Sequence, residues 1–308
     1  MAVAGMIAMA VAQIGLMNIT LPLVNRFGGG NMSKGYQTTA TVYALTAMVL
    51  FWIVFAGTKE VITFTKKSAV PHLESFKILF KSRNIVCCIL NSTLFMTGMM
   101  GRIGIMVYYY LWVLGRPDLM GLFMSSQMII GVLVSPFNPV IARKIGFKNS
   151  AILSWIMNVG GVLGIFLVPV TNMPLLILVH IIYGLGYIGG SGGMLRDAID
   201  QAEYKTGIRI DGTVSGFTGF ATKTGGAIGA SIGLFVMGFS GYVGGQAVTP
   251  AIAAGINRAV NLIPGILMGA SIIPLLLYNL SEVEGKKIHD ELEARRDAKA
   301  SETEAQTI

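Results

Sequence analysis

Three carboxylates recur at intervals of three residues in the stretch "RDAIDQAEYKTGIRIDG", residues 196–212. They are Asp197, Asp200 and Glu203. On a helix this spacing keeps the three side chains within an arc of about 120°, so that they share one face. Carboxylates grouped in this way can hold Mg²⁺ in a membrane-embedded enzyme that transfers a phosphoryl or prenyl group.

The same three carboxylates have two other interpretations. They can form ion pairs that open and close the cytoplasmic side of a transport path. They can also belong to an ordinary solvated loop that has no further role. The basic residues that we consider as partners for such ion pairs are Arg143, Lys144 and Arg209.

Two cations, Arg102 and Lys223, fall inside long apolar stretches. An ionisable group at membrane depth costs at least about 2.5 to 3.5 kcal/mol, so it normally faces a cavity or a counter-ion. All 15 acidic residues lie outside the apolar stretches. To reach an interface, the Lys223 ammonium would have to extend roughly 15 Å along the helix axis, which is more than its side chain spans. Arg102 lies nearer the end of its apolar stretch. We therefore expect a hydrated cavity, or carboxylates from protein outside this sequence.

The composition requires a polytopic membrane protein. The chain has 308 residues, of which 53% are hydrophobic and only 12% are charged, and its mean hydropathy is +0.67. A membrane-spanning helix needs about 20 mostly apolar residues. Eight such runs are predicted, at residues 1–24, 37–57, 84–115, 119–142, 151–170, 173–193, 213–243 and 260–281.

The distribution of basic residues predicts the orientation. If the first run starts in the cytoplasm, the inward segments hold 17 Lys and Arg and the outward segments hold 4. Such an excess is typical of cytoplasmic segments, so both termini are predicted to be cytoplasmic. Orientation accounts for the formal charge of +8, and no nucleic-acid partner is expected.

The predicted spans fall into two groups. Residues 58–83 form a long basic linker, interpreted as a cytoplasmic loop between residues 1–57, which hold two spans, and residues 84–282, which hold six. Residues 283–308 form a cytoplasmic tail, which begins as an exposed helix and ends with the composition of disorder. We expect the charges of this tail to do nothing beyond solvation.

Enzyme chemistry finds little support in the sequence. His72 and His289 lie in predicted cytoplasmic segments, and His180 lies within a span. None of them shares a motif with a nucleophilic Ser or Cys. We predict no enzyme activity, no bound metal and no cofactor. The alternatives are the metal-dependent transferase that would use Asp197, Asp200 and Glu203, or a non-catalytic membrane fragment.

A long stretch resembles the glycoside-pentoside-hexuronide:cation symporters, a family of the major facilitator superfamily that includes melibiose permease. It is "DAIDQAEYKTGIRIDGTVSGFTGFATKTGGAIGASIGLFVMGFSGYVGG", residues 197–245, which is similar to family helices ten and eleven. The stretches "LPLVNRFGGGNMSKGYQ" and "YYYLWVLG" also resemble the family. The matching residues in the longest stretch are Asp197, Asp200, Glu203, Tyr204, Lys205, Arg209, Lys223, Gly225, Gly241 and Tyr242.

The resemblance implies an all-α membrane fold of twelve helices in two six-helix halves, with the sugar and its coupling cation bound between them. The eight predicted spans then correspond to family helices five to twelve, and helices one to four are expected to be missing. In the family those helices carry the aspartates that bind cation and sugar, beside the lysine that Lys223 matches. The counter-charge of Lys223 is expected there.

The resemblance also implies roles for single residues. Lys223 would stand beside the cation site, with Thr218 and Thr222 on the adjacent cavity wall, and we assign Arg102 and Tyr187 to the same site. Where melibiose-type members place a cavity tryptophan, this chain has Ile188 with Tyr187 adjacent, which argues against a galactoside. The resemblance favours the ion-pair interpretation of the carboxylates, as a cytoplasmic gate made of Asp197, Asp200, Glu203, Tyr204, Arg209 and Arg143.

The predicted function is therefore cation-coupled symport of a sugar, glycoside or hexuronide by alternating access. The expected partners are the small-molecule sugar, Na⁺ or H⁺ as the coupling cation, and the lipid bilayer of a bacterial inner membrane. The 308 residues alone are expected to be inactive, because they would expose one wall of the cavity to lipid.

Overall fold

The computed structural model describes residues 22–58, 72–186, 192–245 and 247–305, together with isolated positions between 8 and 20. The chain divides into two compact units, Met1–Ala69 and Val70–Ile308. We call them the N-terminal and the C-terminal unit. Within the described ranges, all regular secondary structure is helical.

The N-terminal unit contains one long described helix, α1 (Met32–Gly57). It starts at Asn31, whose side chain accepts a hydrogen bond from the Lys34 backbone N–H at 3.2 Å. This contact satisfies one of the free donors of the first turn. The second half of α1 is apolar on all sides, and Phe51 and Phe55 are 75% and 83% exposed. Such a helix has the composition of a membrane span.

The C-terminal unit begins with a short helix, α2 (His72–Lys81), and a long one, α3 (Arg83–Tyr108), which ends in a π-helical turn (Tyr109–Val113). The remaining helices follow in the order α4 (Asp118–Val134), α5 (Asn138–Ile145), α6 (Phe147–Leu167), α7 (Met173–Leu185), α8 (Gly192–Thr206), α9 (Asp211–Phe239), α10 (Pro250–Asn257), α11 (Ile263–Ala270), α12 (Ile272–Leu277) and α13 (Glu282–Ala305).

Six described helical stretches are long and apolar enough to cross a membrane, in agreement with a multi-pass membrane protein. The first predicted run lies mostly outside the described residues, and so do residues 187–191 near the end of the sixth. The described part of the sixth run is the shorter helix α7. The six stretches are Met32–Gly57, Arg83–Val113, Asp118–Ile145, Phe147–Leu167, Asp211–Phe239 and Pro250–Leu277.

One predicted boundary was wrong. The last span starts at Pro250, ten residues before the predicted residue 260. The prediction took Arg258 as a loop residue because of its charge. The helix continues through Arg258, whose side chain is exposed. In the predicted linker 58–83, α2 occupies the last part.

Helices α3 and α9 form the closest pair in the C-terminal unit, because glycines bring their backbones together. A Cβ atom at Gly229 of α9 would lie 1.9 Å from the Thr97 carbonyl oxygen of α3, and one at Gly101 would lie 2.8 Å from the Gly229 oxygen. Only glycine permits this approach. Gly225 also faces α3, at Thr93. Lys223 is exposed, so its side chain lies off this contact face of α9.

The tail is a helix that packs onto the C-terminal unit. Ile288 and Leu292 of α13 are 7% and 4% exposed, in the same apolar cluster as Leu79, Ile199 and Ala202. The helix extends to Ala305, where the composition predicted disorder. The end of the tail is therefore helical, contrary to the prediction. The buried stripe of Ile288 and Leu292 anchors only the first half of this helix.

Candidate functional site

Lys223 lies in the middle part of α9, twelve residues after the helix begins, which is about 18 Å along its axis. Its side chain is exposed, and so is that of Phe220, about one turn earlier, at 64%. Within the described ranges no hydrogen bond or ion pair involves its ammonium. The group therefore stands on the outer surface of the C-terminal unit, at a depth that requires a partner.

Thr218 and Thr222 precede Lys223 by five residues and by one residue. Both are half-buried. The Thr218 hydroxyl donates to the Val214 carbonyl at 2.7 Å, and the Thr222 hydroxyl donates to the Thr218 carbonyl at 2.8 Å. Each hydroxyl has used its single proton in this way, so it can offer only oxygen lone pairs to a ligand.

Arg102 is in a different environment from Lys223, because it is only 1% exposed inside the C-terminal unit. Its Nε donates to Asn261 Oδ1 at 3.3 Å, its Nη1 lies 3.6 Å from the Met106 sulfur, and its guanidinium lies 5.0 Å from the centre of the Tyr183 ring. Its Nη2 has no partner among the described residues. The charge is thus held by neutral groups.

The partner of Arg102 is itself held by an amide chain. Asn261, in a π-helical turn between α10 and α11, donates to Asn257 Oδ1 at 2.8 Å, and Asn257 donates to the Phe166 carbonyl at 3.3 Å. This chain fixes the amide oxygen that Arg102 uses. The prediction placed Arg102 and Lys223 in one site, but the first is buried and the second exposed. Tyr187, also predicted in that site, lies outside the described residues.

The predicted gate residues partly come together where α8 ends and α9 begins. Arg209, in the connection between these helices, lies 3.1 Å from Asp200 Oδ1 and 2.7 Å from Glu203 Oε2, and it also pairs with Asp211. The Asp200 side chain is only 3% exposed. A buried carboxylate needs such a partner, so Arg209 fixes the connection onto α8.

The tail helix α13 adds cations to the same carboxylates. His289 Nδ1 lies 3.0 Å from Asp200 Oδ2, and Arg296 Nη2 lies 2.7 Å from Glu203 Oε2. Arg295 stacks over the ring of Tyr204, which is one of the predicted gate residues, at 4.8 Å. The expectation that the tail charges serve only solvation was therefore wrong. We call Asp200, Glu203, Arg209, His289 and Arg296 the charged cluster.

Asp197 lies one turn before the charged cluster and pairs with none of its cations. It lines a cavity of about 240 Å³ together with Lys148, Tyr278 and Glu282. Burial raises the pKa of the Asp197 carboxyl, and Arg196 opposes that rise only in part. A Cβ at Gly285 of α13 would lie 3.2 Å from its carboxylate oxygen, so the tail helix covers it closely.

Arg143 is exposed and makes no ion pair among the described residues, and Lys144 is exposed beside it. The structure therefore brings Arg209 to the carboxylates but not the two residues of α5. Arg143 lies in the last turn of α5, where its charge instead favours the negative end of the helix dipole.

The charged cluster has no arrangement suited to a metal ion. Asp200 and Glu203 are engaged by Arg209, His289 and Arg296. In the described part of the chain there is also no group of three or more His, Cys, Asp or Glu residues arranged to hold a metal. The geometry of these carboxylates is that of an ion-pair network, which fits the gate interpretation.

Sequence reasoning missed the contributions of His289, Arg296, Lys148 and Glu282. Glu282 accepts a hydrogen bond from the Phe147 backbone N–H at 2.6 Å and so caps α6, while Lys148 donates to the Tyr278 carbonyl at 2.6 Å. A signal for the tail existed, since Ile288 and Leu292 are four residues apart and indicate one apolar stripe.

A family model described as MFS/sugar transport protein matches residues 1–282. The chain belongs to this family. The match confirms the resemblance to sugar symporters of the major facilitator superfamily. It also confirms that the chain belongs among membrane transport proteins and not among enzymes, so the transferase alternative is set aside.

Three relatives illustrate the match. The isoprimeverose transporter of Lactiplantibacillus pentosus is 30% identical over 284 residues, which cover 89% of this chain and 59% of the transporter. The glucuronide carrier protein homolog of Escherichia coli K12 is 26% identical over 295 residues, which cover 94% and 64% of the two chains. An uncharacterized symporter of Bacillus subtilis 168 is 29% identical over 272 residues, which cover 86% and 58%. The chain thus spans about three fifths of the length of these relatives.

Proposed function

We propose that this chain contributes the C-terminal six-helix half, and part of the other half, to a cation-coupled symporter for a sugar, glycoside or hexuronide. The observation that carries the proposal is Lys223, an exposed ammonium on α9 that has no partner among the described residues, in a chain of the sugar-transport family. A charge at this depth is kept only where it meets a counter-charge or a hydrated cavity.

Lys223 would link the two substrates through one electrostatic site. A Na⁺ ion or a proton bound to a carboxylate beside Lys223 changes the charge that the ammonium faces, and the ammonium in turn can donate to a sugar hydroxyl. The lone pairs of Thr218 and Thr222 would accept hydrogen bonds from the same sugar. The doubly occupied and the empty carrier then change conformation more readily than the singly occupied one, and this difference produces coupling.

The charged cluster would act as the cytoplasmic gate. Its ion pairs join α8, the connection to α9 and the tail helix, and they can break and re-form at modest cost because Arg209 and His289 are each 39% exposed. Together with the distribution of basic residues, this role supports a cytoplasmic location of the cluster and of both termini, in a bacterial inner membrane.

The isolated 308-residue chain is proposed to be inactive, because the outer face of α9 around Lys223 has no described partner. The test is counterflow of labelled isoprimeverose and of a labelled glucuronide in proteoliposomes that contain only this chain. No counterflow above protein-free liposomes is expected. Saturable counterflow of either sugar by the purified chain would contradict this part of the proposal.

Transport itself is tested in cells that express the gene with its native flanking sequence. Accumulation of one of the two labelled sugars is expected to depend on an imposed Na⁺ or H⁺ gradient and to collapse with it. Equal accumulation in cells with and without the gene, for both sugars and both gradients, would overturn this assignment.

A further inference from the structure

Helix α2 carries an apolar stripe that the described part of the chain leaves uncovered. Leu73, Phe76 and Phe80 are 70%, 40% and 59% exposed. Each residue turns a helix by about 100°, so these three side chains lie within an arc of about 60°. A connecting segment in water gains nothing from an exposed row of two phenylalanines and a leucine. Such a row indicates contact with another apolar phase.

Packing against the C-terminal unit fixes the direction in which this stripe faces. Leu79 is fully buried in an apolar cluster of the unit, and Ser75, one turn earlier, is buried as well. Phe217 of α9 lies edge-on to Phe76 and to Phe80, with ring centroids 6.2 and 5.3 Å apart. One side of α2 is therefore held on the unit, and the stripe faces outward beside the rim of α9.

The contact with Phe217 also gives the depth of the stripe. Phe217 follows the start of α9 at Asp211 by six residues, which is about 9 Å along a helix that is long and apolar enough to cross a membrane. Helix α2 ends at Lys81, just before the next such stretch begins at Arg83. The stripe thus lies level with the ends of two membrane-spanning stretches, where hydrocarbon meets the lipid headgroups.

Two lysines border the stripe on the side of the helix away from Leu79. Lys77 and Lys81 are both exposed, and in the part of the chain that the structure describes neither forms an ion pair. Glu74 is the one acidic residue of α2. A lysine side chain can lay its methylene groups along an apolar phase while its ammonium reaches a phosphate. A row of Phe and Leu flanked by lysines is typical of a helix that lies in the plane of an anionic membrane surface.

We propose that α2 is an interfacial helix, which inserts Leu73, Phe76 and Phe80 among the acyl chains and binds anionic lipid headgroups through Lys77 and Lys81. An anionic bilayer supplies both the apolar phase and the negative charge at the depth where α2 lies. A protein partner would have to bring an apolar surface and two carboxylates to the same level. Each lysine near an anionic surface changes the binding equilibrium by roughly fivefold, so the pair contributes about 25-fold.

The first experiment identifies the medium around the stripe, and it needs no substrate, so its failure is distinct from a failure of the transport assignment. A nitroxide label is attached at Leu73→Cys in the 308-residue chain, in vesicles of phosphatidylcholine and phosphatidylglycerol. Cys87→Ala and Cys88→Ala remove the native thiols. Collisions of the label with oxygen, which concentrates in lipid, are compared with collisions with a nickel chelate, which stays in water.

Frequent oxygen collisions and rare nickel collisions are expected at Leu73→Cys. Frequent nickel collisions would place the stripe in water, and rare collisions with both reagents would place it against protein. Either result would overturn the proposal. The matched control is a label at Glu74→Cys, which is exposed and points about 100° away from Leu73. It is expected to collide with nickel, and an oxygen preference equal to that of Leu73→Cys would contradict a helix with one inserted side.

The second experiment tests the lysines through hydrogen–deuterium exchange of the α2 amides in nanodiscs of phosphatidylcholine, with and without phosphatidylglycerol. The anionic lipid is expected to slow exchange in the unsubstituted chain by about 25-fold. The double variant Lys77→Gln, Lys81→Gln is expected to lose this slowing while the amides of α9 stay protected. Equal exchange in the two lipids for the unsubstituted chain, or the same slowing in the double variant, would overturn the headgroup assignment.

The control for net charge is the double variant Lys286→Gln, Lys287→Gln on the tail helix. Both side chains are exposed, so this variant removes the same two charges from another surface of the unit. It is expected to keep the slowing of α2 exchange by phosphatidylglycerol. Loss of the slowing here would show that the total charge of the chain, and not the pair on α2, sets the response to anionic lipid.

Discussion

The C-terminal unit holds its helices together in two different ways. At membrane depth α3 and α9 touch through backbone atoms, with Gly229 close against the Thr97 carbonyl. At the charged cluster α8 and α13 are joined by ion pairs, His289 with Asp200 and Arg296 with Glu203. Close backbone packing suits a bilayer, where association of helices depends on van der Waals contact. Ion pairs suit a site near the surface, where Arg209, His289 and Arg296 keep contact with water although Asp200 is buried.

The cations of the two regions also differ in the kind of group that they contact. Arg209 in the charged cluster meets three carboxylates, whereas Arg102 at membrane depth meets an amide, a thioether and an aromatic ring. Lys223 meets no described partner at all. The comparison separates three kinds of cation in the described part of the chain. Arg209 is paired with carboxylates, Arg102 is buried among neutral groups, and Lys223 is exposed without a described partner.

The largest loss of stability is expected at the close contact of α3 and α9. Gly229→Ala would place a Cβ 1.9 Å from the Thr97 oxygen, so the helices must separate, at a cost of about 3 kcal/mol. The measurement is thermal unfolding of the purified chain in detergent. Gly216→Ala on the same helix, where a Cβ meets nothing within 4 Å, is the control, and equal midpoints for the two variants would contradict the close packing.

A smaller loss is expected from Arg209→Gln in the charged cluster. It leaves the buried Asp200 with only His289 and removes a partner of Glu203, which costs about 2 kcal/mol after allowance for the exposure of Arg209. Thermal unfolding of the variant gives this value. Arg116→Gln, which removes an exposed pair with Asp118, should leave the midpoint unchanged. Equal midpoints for the two variants would mean that the cluster contributes no stability.

The raised pKa of the Asp197 carboxyl predicts that its contribution to folding stability falls as the pH rises. A carboxylate in an ordinary ion pair contributes more stability as the pH rises. Burial raises the pKa of its carboxyl in the folded state, so its favourable contribution is full below the unfolded pKa of about 3.9 and is lost as the pH rises through the higher folded value. Asp197→Asn should therefore lessen the fall in unfolding midpoint with rising pH in this acidic range. The exposed Asp290→Asn serves as control; a pH profile identical for Asp197→Asn and the unsubstituted chain would contradict the assignment.

The smallest effect is expected at Arg102. A buried charge recovers little of its desolvation cost from neutral partners, and replacement of such groups by apolar side chains of similar length is often neutral or stabilising. Arg102→Met should therefore unfold at the same temperature as the unsubstituted chain or slightly above it. A loss as large as that of Gly229→Ala would show that the Asn261 and Tyr183 contacts stabilise the unit after all.

Much of this architecture could be predicted from the sequence, because the signals were local. Apolar runs gave the spans, and the spacing of Asp200 and Glu203 gave one face of α8, to which Arg209 turned out to bind. The role of the tail could not be predicted in this way. His289 and Arg296 meet carboxylates about ninety residues earlier in the chain, and no periodicity reports such a contact. Arg143 shows the opposite error. It was predicted to pair with these carboxylates, but it makes no ion pair among the described residues.

The central claim is that Lys223 couples ion and sugar, and it is tested most directly by gradient-driven accumulation of the labelled sugar in cells that express Lys223→Ala. Thr224→Ala, a change at the exposed neighbouring position, is the control. We predict that accumulation above the external concentration is lost in Lys223→Ala at normal membrane levels of the protein and kept in Thr224→Ala. Accumulation at the unsubstituted level in Lys223→Ala would contradict the account.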